Sequence, residues 1–363
     1  MKTVKLGDII SLQYGKALKK GDRRGGPVAV VGSSGVVGFH DQALSSGPAI
    51  VVGRKGSIGS ITWVPGGAWP IDTAYEAVPR GEGVDLRWLY WILGSLGLEG
   101  MNKSAAVPGL NRDDVYRLSI LLPDVKEQKR IAAILDRADE QRSRRRAQIA
   151  LLEELVNGEF SSRFGDIDVA ERVAGSVWRS LRNGQSPDRG GDVVEPVLTL
   201  SSVTRGRFNP RAFKAGTFNI SPGREKRVCG ADFLISRGNG NRELVGVGVF
   251  VGGRGVGTVF PDTVIAASLN LEVVDPLFFE VAWAQPSVRR QIEAAARTTN
   301  GTFKINQKAL AGVALPFPPL DTQREFAALV ETIDAQRARV ERALALEDEL
   351  FASLQHRAFR GEL

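Results

Sequence analysis

The sequence predicts an α+β protein in which two mixed α/β globules are separated by a pair of long antiparallel, coiled-coil helices, the halves forming a pseudo-twofold internal repeat. Three observations predict it. The chain matches itself without gaps at a constant offset of 195 residues, and the matched stretches carry the apolar spacing of long helices. Between them lie short β-branched runs punctuated by Gly and Pro turns.

Taken in order, residues 1–122 form the first globule. Its expected strands are Val28–Val31, Ala49–Val52 and Ser60–Val64, broken by Gly-Ser and Pro-Gly turns, with a helix over Leu86–Leu96. Residues 123–163 are the first long helix, expected from about 126 to 160, with Asp124 as its N-cap. Residues 164–315 are the second globule, with strands expected at Pro196–Leu200, Asp232–Ile235, Val245–Val251 and Gly257–Phe260 and a helix over Ser287–Arg297. Residues 316–363 are the second long helix, expected from about 321 to 357 and capped by Asp321. At 1.5 Å per residue each long helix is roughly 50 Å, too long to hide inside a small domain, so the two are expected to pair.

The repeat is carried by identities and by apolar positions. Asn111 matches Asn306, Pro123 matches Pro318, Gln128 matches Gln323, Asp139 matches Asp334, Arg142 matches Arg337 and Phe164 matches Phe359. Helix pairing is expected through Ile131, Ile134, Leu135, Leu152 and Leu155 on the first helix. Their partners on the second are Phe326, Leu329, Ile333, Val340 and Leu350. Mid-helix, Arg142–Arg146 is polar nearly all round and reads either as a solvated face or as a contact for phosphate or an acidic partner.

The charge is segregated. Residues 1–122 hold 14 Lys+Arg against 10 Asp+Glu and residues 164–315 hold 19 against 14, in a chain of net charge +7. The basic excess lies on the globules, which points to a nucleic-acid partner or to an ordinary solvated surface. A single cysteine, Cys229, excludes internal disulfides and cysteine-rich metal sites. The two histidines, His40 and His356, have few partner groups nearby in sequence and read as structural or surface residues. No apolar run reaches the ~20 residues of a membrane span, and the N-terminus has no signal-peptide pattern, so a reduced, cytoplasmic chain is expected. Gly53-Arg-Lys-Gly-Ser-Ile-Gly59 is not a Walker A loop, because its Lys precedes the second Gly. It reads as a tight turn with a basic tip or as a loop meeting phosphate or base edges.

The repeated segments resemble the specificity subunit of type I restriction–modification systems. The resemblance rests on Leu122-Pro-Asp-Val-Lys-Glu-Gln-Lys-Arg-Ile-Ala-Ala-Ile-Leu-Asp136 and on Leu315-Pro-Phe-Pro-Pro-Leu-Asp-Thr-Gln-Arg-Glu-Phe-Ala-Ala-Leu329. Such subunits carry Leu-Pro-Pro-Leu-x-Glu-Gln-Lys-Arg-Ile-Ala before a long helix, once after each target-recognition domain. Val31–Gly38, Gly53–Gly59 and Ile71–Tyr75 also look like a recurrent recognition-domain type. The departures are Asp124 for Pro in the first copy, and Thr322 for Glu with Glu325 for Arg in the second. The resemblance implies a non-catalytic subunit whose two target-recognition domains read a bipartite, asymmetric site in double-stranded DNA. It implies that the helices dock two methyltransferase subunits and, through them, restriction and translocase subunits. S-adenosylmethionine, ATP and Mg are then expected in the partners only; this chain has no Asn-Pro-Pro-Phe/Tyr motif and no Walker A loop. A DNA-binding adaptor of another phage-defence or methylation system, and an enzyme using Cys229, are the alternatives.

Phosphate contacts are expected from Lys19, Lys20, Arg54, Lys55, Arg205, Arg207, Arg237 and Arg242. The base readers expected are Arg54 and Ser57 in the first globule, and Arg237, Asn239, Asn241 and Arg242 in the second. The Arg237-Gly-Asn-Gly-Asn-Arg242 run is glycine-spaced, which suits either close approach to DNA or an Asn-stabilised turn.

Overall fold

β-Branched runs set off by glycines make short strands, and in each half of this chain they assemble into a sheet of the same order. The structure, a computed structural model, describes residues 2–101, 109–165, 171–299 and 301–363. The chain divides into two units, Met1–Ala147 with Glu341–Leu363, and Gln148–Val340.

The first unit contains β1 (Lys2–Lys5), α1 (Leu6–Ile9), β2 (Ile10–Tyr14), β3 (Val28–Gly32), β4 (Gly35–His40), β5 (Ala49–Gly53) and β6 (Ile61–Val64). It continues through β7 (Ala68–Pro70), β8 (Ala74–Pro79), α2 (Leu86–Ser95), α3 (Arg112–Tyr116) and β9 (Ser119–Leu122) into α4 (Val125–Phe164). The central sheet runs β2-β8-β5-β6, all antiparallel. β5 is buried along its whole length, as expected for an all-apolar Ala-Ile-Val-Val run. Asp85 caps α2 by accepting from the Trp88 N–H at 2.9 Å. The core joins Ile50, Val52, Trp88, Leu89 and Ile92 to Ile131, Ala132 and Leu135 of α4 and to Phe351 and Ala358.

The second unit contains β10 (Glu171–Val173), β11 (Trp178–Asn183), β12 (Val193–Leu198), α5 (Ser201–Thr204), β13 (Phe213–Phe218), β14 (Asp232–Ser236), β15 (Gly238–Asn239) and β16 (Gly248–Phe250). After β17 (Val264–Leu269) come α6 (Pro276–Ala284), α7 (Pro286–Ala295), β18 (Arg297–Thr299), β19 (Thr302–Lys304), α8 (Gln307–Ala311), β20 (Ala314–Pro316) and α9 (Leu320–Arg360). Its sheet runs β11-β17-β14-β16. Position for position this is the order of the first unit. Asp275 caps α6 as Asp85 caps α2, and Phe160, Phe164, Phe278 and Phe326 meet edge to face or tilted in the core.

Two expected strands differ. Of Val245–Val251 only Gly248–Phe250 is strand, because Gly246 (φ 72°) and Gly252 (φ 57°) take left-handed backbone on either side. Gly257–Phe260 is no strand; Val259 makes only isolated bridges, to Val197 and Arg227.

The long helices cover 40 and 41 residues, about 60 Å each. Asp124 accepts the Glu127 N–H at 2.9 Å and caps α4. Asp321 does not cap α9: the helix begins at Leu320, the Pro319 carbonyl takes the Gln323 N–H, and Asp321 lies within the first turn, exposed. Inside the first unit the helix segments run antiparallel. Arg142 pairs with Asp348 at 2.5 Å and Arg145 with Glu347 at 3.1 Å, while Arg130 reaches the Leu363 carbonyl. Inside the second unit they are again antiparallel, with Arg337 pairing Glu153 at 3.3 Å and Phe326 packed on Phe160.

Of the expected pairing residues, Ile131, Leu135, Phe326, Ile333 and Val340 are buried, and Ile134, Leu152 and Leu329 are half-buried. Leu155 and Leu350 are 46% and 56% exposed; the inward positions one residue on belong to Val156 and Phe351. A helix turns 100° per residue, so a one-residue shift decides which of two adjacent apolar side chains faces the core.

The Arg142–Arg146 cluster is matched by acids: Arg142 and Arg146 by Asp348, Arg145 by Glu347, and Arg144 by Glu140. His40 is buried, accepts the Arg24 N–H on Nδ1 and stands edge-on to Trp69, while His356 is exposed. Among the described residues no helix is long and apolar enough to cross a membrane, and no group of three or more His, Cys, Asp or Glu side chains could hold a metal ion.

Candidate nucleic-acid interface

β5 ends at Gly53, and the chain turns sharply through Arg54–Ser60, closed by hydrogen bonds between Gly53 and Ser60 and between Gly59 and Gly53, each 2.8 Å. Gly56 (φ 80°) and Gly59 (φ 71°) need left-handed backbone here, and a Cβ on Gly59 would collide with the Leu98 backbone. The turn presents Lys55 and Ser57 to solvent. Arg54 is anchored: its N–H bonds the Thr73 carbonyl at 2.9 Å, its carbonyl accepts from Leu110 at 2.8 Å, and its Nη1 donates to the Asp72 carbonyl at 3.1 Å.

The Arg54 guanidinium lies 4.8 Å from the Tyr14 ring centroid and 5.7 Å from that of Tyr75. Arg112 approaches the same cluster from α3, 5.6 Å from Tyr14 and 5.9 Å from Tyr116. Tyr14, Arg54, Lys55, Tyr75, Asn111 and Arg112 together line an open concavity. Burial, then the neighbouring Tyr14, push the Tyr75 hydroxyl above its ordinary range, while Arg54 pulls it back. A cationic, aromatic-floored hollow of this kind suits a base or a phosphate. Lys19 and Lys20 are exposed at a 3₁₀ turn five residues beyond Tyr14, on the connection that leaves this sheet end.

In the second unit Arg237 follows β14 as Arg54 follows β5. Its N–H bonds the Thr263 carbonyl at 2.8 Å, its carbonyl accepts from Ile305 at 2.9 Å, and its Nη1 donates to the Asp262 carbonyl at 3.3 Å. On the adjoining loop Asn239 accepts from the Asn241 N–H at 2.9 Å and Asn241 from the Glu243 N–H at 3.0 Å. Both side-chain oxygens thus stabilise turns. Arg242 is exposed and donates to the Glu293 carbonyl at 2.8 Å. Arg205 is exposed beyond α5, and Arg207 forms an ion pair with Asp334 of α9. A phosphate contact by Arg207 has to compete with that carboxylate.

Tyr14, Tyr75 and Arg112 complete the first site and were not among the expected residues. They lie about 20 to 60 residues from Arg54 in sequence, and only the sheet order brings them together. The one signal was position: Arg112 follows Asn111, a fixed point of the repeat that caps α3.

Residues 1–154 match the family model described as the type I restriction modification DNA specificity domain. The chain is similar to the type I restriction enzyme EcoKI specificity subunit of Escherichia coli (strain K12), 29% identical over 270 residues, which is 68% of this chain and 58% of the relative. It is also similar to the StySPI specificity subunit of Salmonella potsdam, 24% identical over 272 residues, again 58% of the relative. The matched stretch thus spans less than two thirds of these relatives. In fold the chain is similar to the type I restriction–modification S subunit from M. genitalium, with a TM-score of 0.59 at 14% identity over 99% of this chain and 96% of that one.

Proposed function

We propose that the chain is the DNA-reading, non-catalytic subunit of a cytoplasmic type I restriction–modification complex. Residues 1–122 and 164–315 are its target-recognition domains and read the two parts of an asymmetric split site in double-stranded DNA. Residues 123–163 and 316–363 are spacer helices that also dock two methyltransferase subunits, and restriction and translocase subunits through them. S-adenosylmethionine, ATP and Mg belong to those partners. Lys19, Lys20, Lys55, Arg205 and Arg242, all exposed, meet phosphates.

What carries this reading is that one arginine-centred site is built twice, at Arg54 and at Arg237, on sheets of the same order in a chain whose globules hold the basic excess. Two such sites with different neighbours suit a two-part word with different halves. Methylation sequencing of a host with and without the gene tests it. A two-part methylated word that appears only with the gene is expected, and identical methylation in both hosts contradicts it.

A further inference from the structure

The two arginine sites share the backbone hydrogen bonds at the arginine and at the glycine that ends the neighbouring strand, which allows the residues that differ at matching positions to be compared. Gly15 donates to the Ala74 carbonyl at 3.1 Å as Gly184 does to that of Val264 at 3.3 Å. Both glycines are required, since a Cβ would come within 2.2 Å of the Ile71 oxygen in one unit and 2.1 Å of the Pro261 oxygen in the other. Tyr14 stands opposite Tyr75, and Asn183 stands opposite Ile265. Asn111 and Asn306 cap the following helices, so Arg112 and Gln307 occupy the same first helical position.

Around two equally held arginines, therefore, the first unit places Tyr14, Tyr75 and Arg112 where the second places Asn183, Ile265 and Gln307. Tyr75 and Ile265 are buried floors, with exposures of 2% and 0%. Of these three pairs, two are accessible: Tyr14 against Asn183, and Arg112 against Gln307. In the first unit the Arg112 guanidinium is steadied by ring faces. In the second, Gln307 Nε2 donates to Asn183 Oδ1 at 3.1 Å.

We propose that these two positions set which base each half of the chain accepts, a guanine at Arg112 and an adenine at the Asn183–Gln307 pair. The inference rests on the DNA-reading function above. A guanidinium fork offers two parallel donors, which match the O6 and N7 acceptors of guanine in the major groove. With one Nε2 hydrogen given to Asn183, Gln307 keeps one N–H and its carbonyl oxygen. That donor and acceptor match N7 and N6–H of adenine. Arg54 and Arg237, held alike, carry what the two half-sites share, and their neighbours carry what separates them.

The test uses the full chain reconstituted with its methyltransferase partner, read by methylation sequencing of a plasmid library. The double variant Tyr14→Asn, Arg112→Gln converts the first site toward the second. One guanine of one half-word is expected to change to adenine, with preference shifted about tenfold or more and the other half-word unchanged. A fully occupied word with the same letters overturns the inference while leaving the DNA-reading function standing. A wild-type chain that directs no sequence-specific methylation overturns that function itself. Gln307→Arg is the reciprocal variant, for use if the double variant loses binding. An adenine-to-guanine change in the other half-word supports the inference, and unchanged letters or equal loss for every word overturn it.

Discussion

Gln128 and Asp85 are joined by a hydrogen bond of 2.7 Å from the Asp85 backbone N–H to the Gln128 side-chain oxygen, which fixes the start of α2 on the first turn of α4. The Gln128 amide nitrogen donates to the carbonyls of Pro123 at 2.9 Å and Gly83 at 3.0 Å. The second unit repeats the device: Gln323 accepts from the Asp275 N–H at 2.9 Å and donates to the Pro318 carbonyl at 2.8 Å. Both glutamines are fully buried. Each globule is thereby pinned to the helix that follows it in sequence by one satisfied buried side chain.

Removing either glutamine leaves buried backbone groups unpaired. Gln128→Ala and Gln323→Ala are each expected to destabilise their own unit by about 1–3 kcal/mol. Urea unfolding followed by tryptophan fluorescence checks this, and Gln→Glu is expected to cost as much or more, since it buries a charge.

Arg142 differs from its neighbours in the basic cluster. Its guanidinium lies 4.2 Å from the Phe351 ring centroid and pairs with both Asp139 and Asp348. Arg144 pairs with Glu140 at the surface. Arg142→Ala is expected to cost about 1–2 kcal/mol and Arg144→Ala under about 0.5 kcal/mol, measured by thermal melting at low salt. Equal effects would assign the cluster to solvent.

Glu280 on α6 accepts the Phe250 N–H at 3.1 Å, and burial pushes its carboxyl up to about 7, against the weaker pull of that hydrogen bond and of Arg207. In the unfolded chain the group ionises near 4.5. Between those values the folded form holds the proton more tightly, so stability falls as pH rises through that window and levels off above it. Glu280→Gln keeps an acceptor without a charge. It is expected to gain about 1–3 kcal/mol relative to wild type on going from pH 5 to pH 8, read from urea midpoints.

DNA affinity is expected to fall steeply with salt, because Lys19, Lys20, Lys55 and Arg205 are exposed cations on the basic globules. Lys55→Ala is expected to weaken binding evenly across sequences and to reduce the slope of log affinity against log salt by about one. Fluorescence anisotropy at several salt concentrations measures it.

The repeat was legible in the sequence because Gln128, Asn111 and Pro123 and their partners 195 residues on occupy positions where only one side chain satisfies the local backbone. Strands such as Ala49–Gly53 were legible because burial on both faces leaves an unbroken apolar run. Tyr14 and Tyr75 were not, because their adjacency follows from strand order, which local pattern does not encode. The choice between Leu155 and Val156, or Leu350 and Phe351, turned on helix phase where apolar residues are adjacent. The Asn239 and Asn241 side chains were legible as turn residues, yet composition left the turn and base-reading roles equal.

The central claim, that each unit carries its own DNA site, is tested most directly by replacing Lys55 or Arg242, one at a time, with a photocrosslinking residue in the assembled complex and mapping the crosslinks on one bound duplex. Crosslinks from the two positions are predicted to fall on separate segments, each within one part of the recognised word. Crosslinks on the same segment, or none from either position while the complex stays bound, would contradict it.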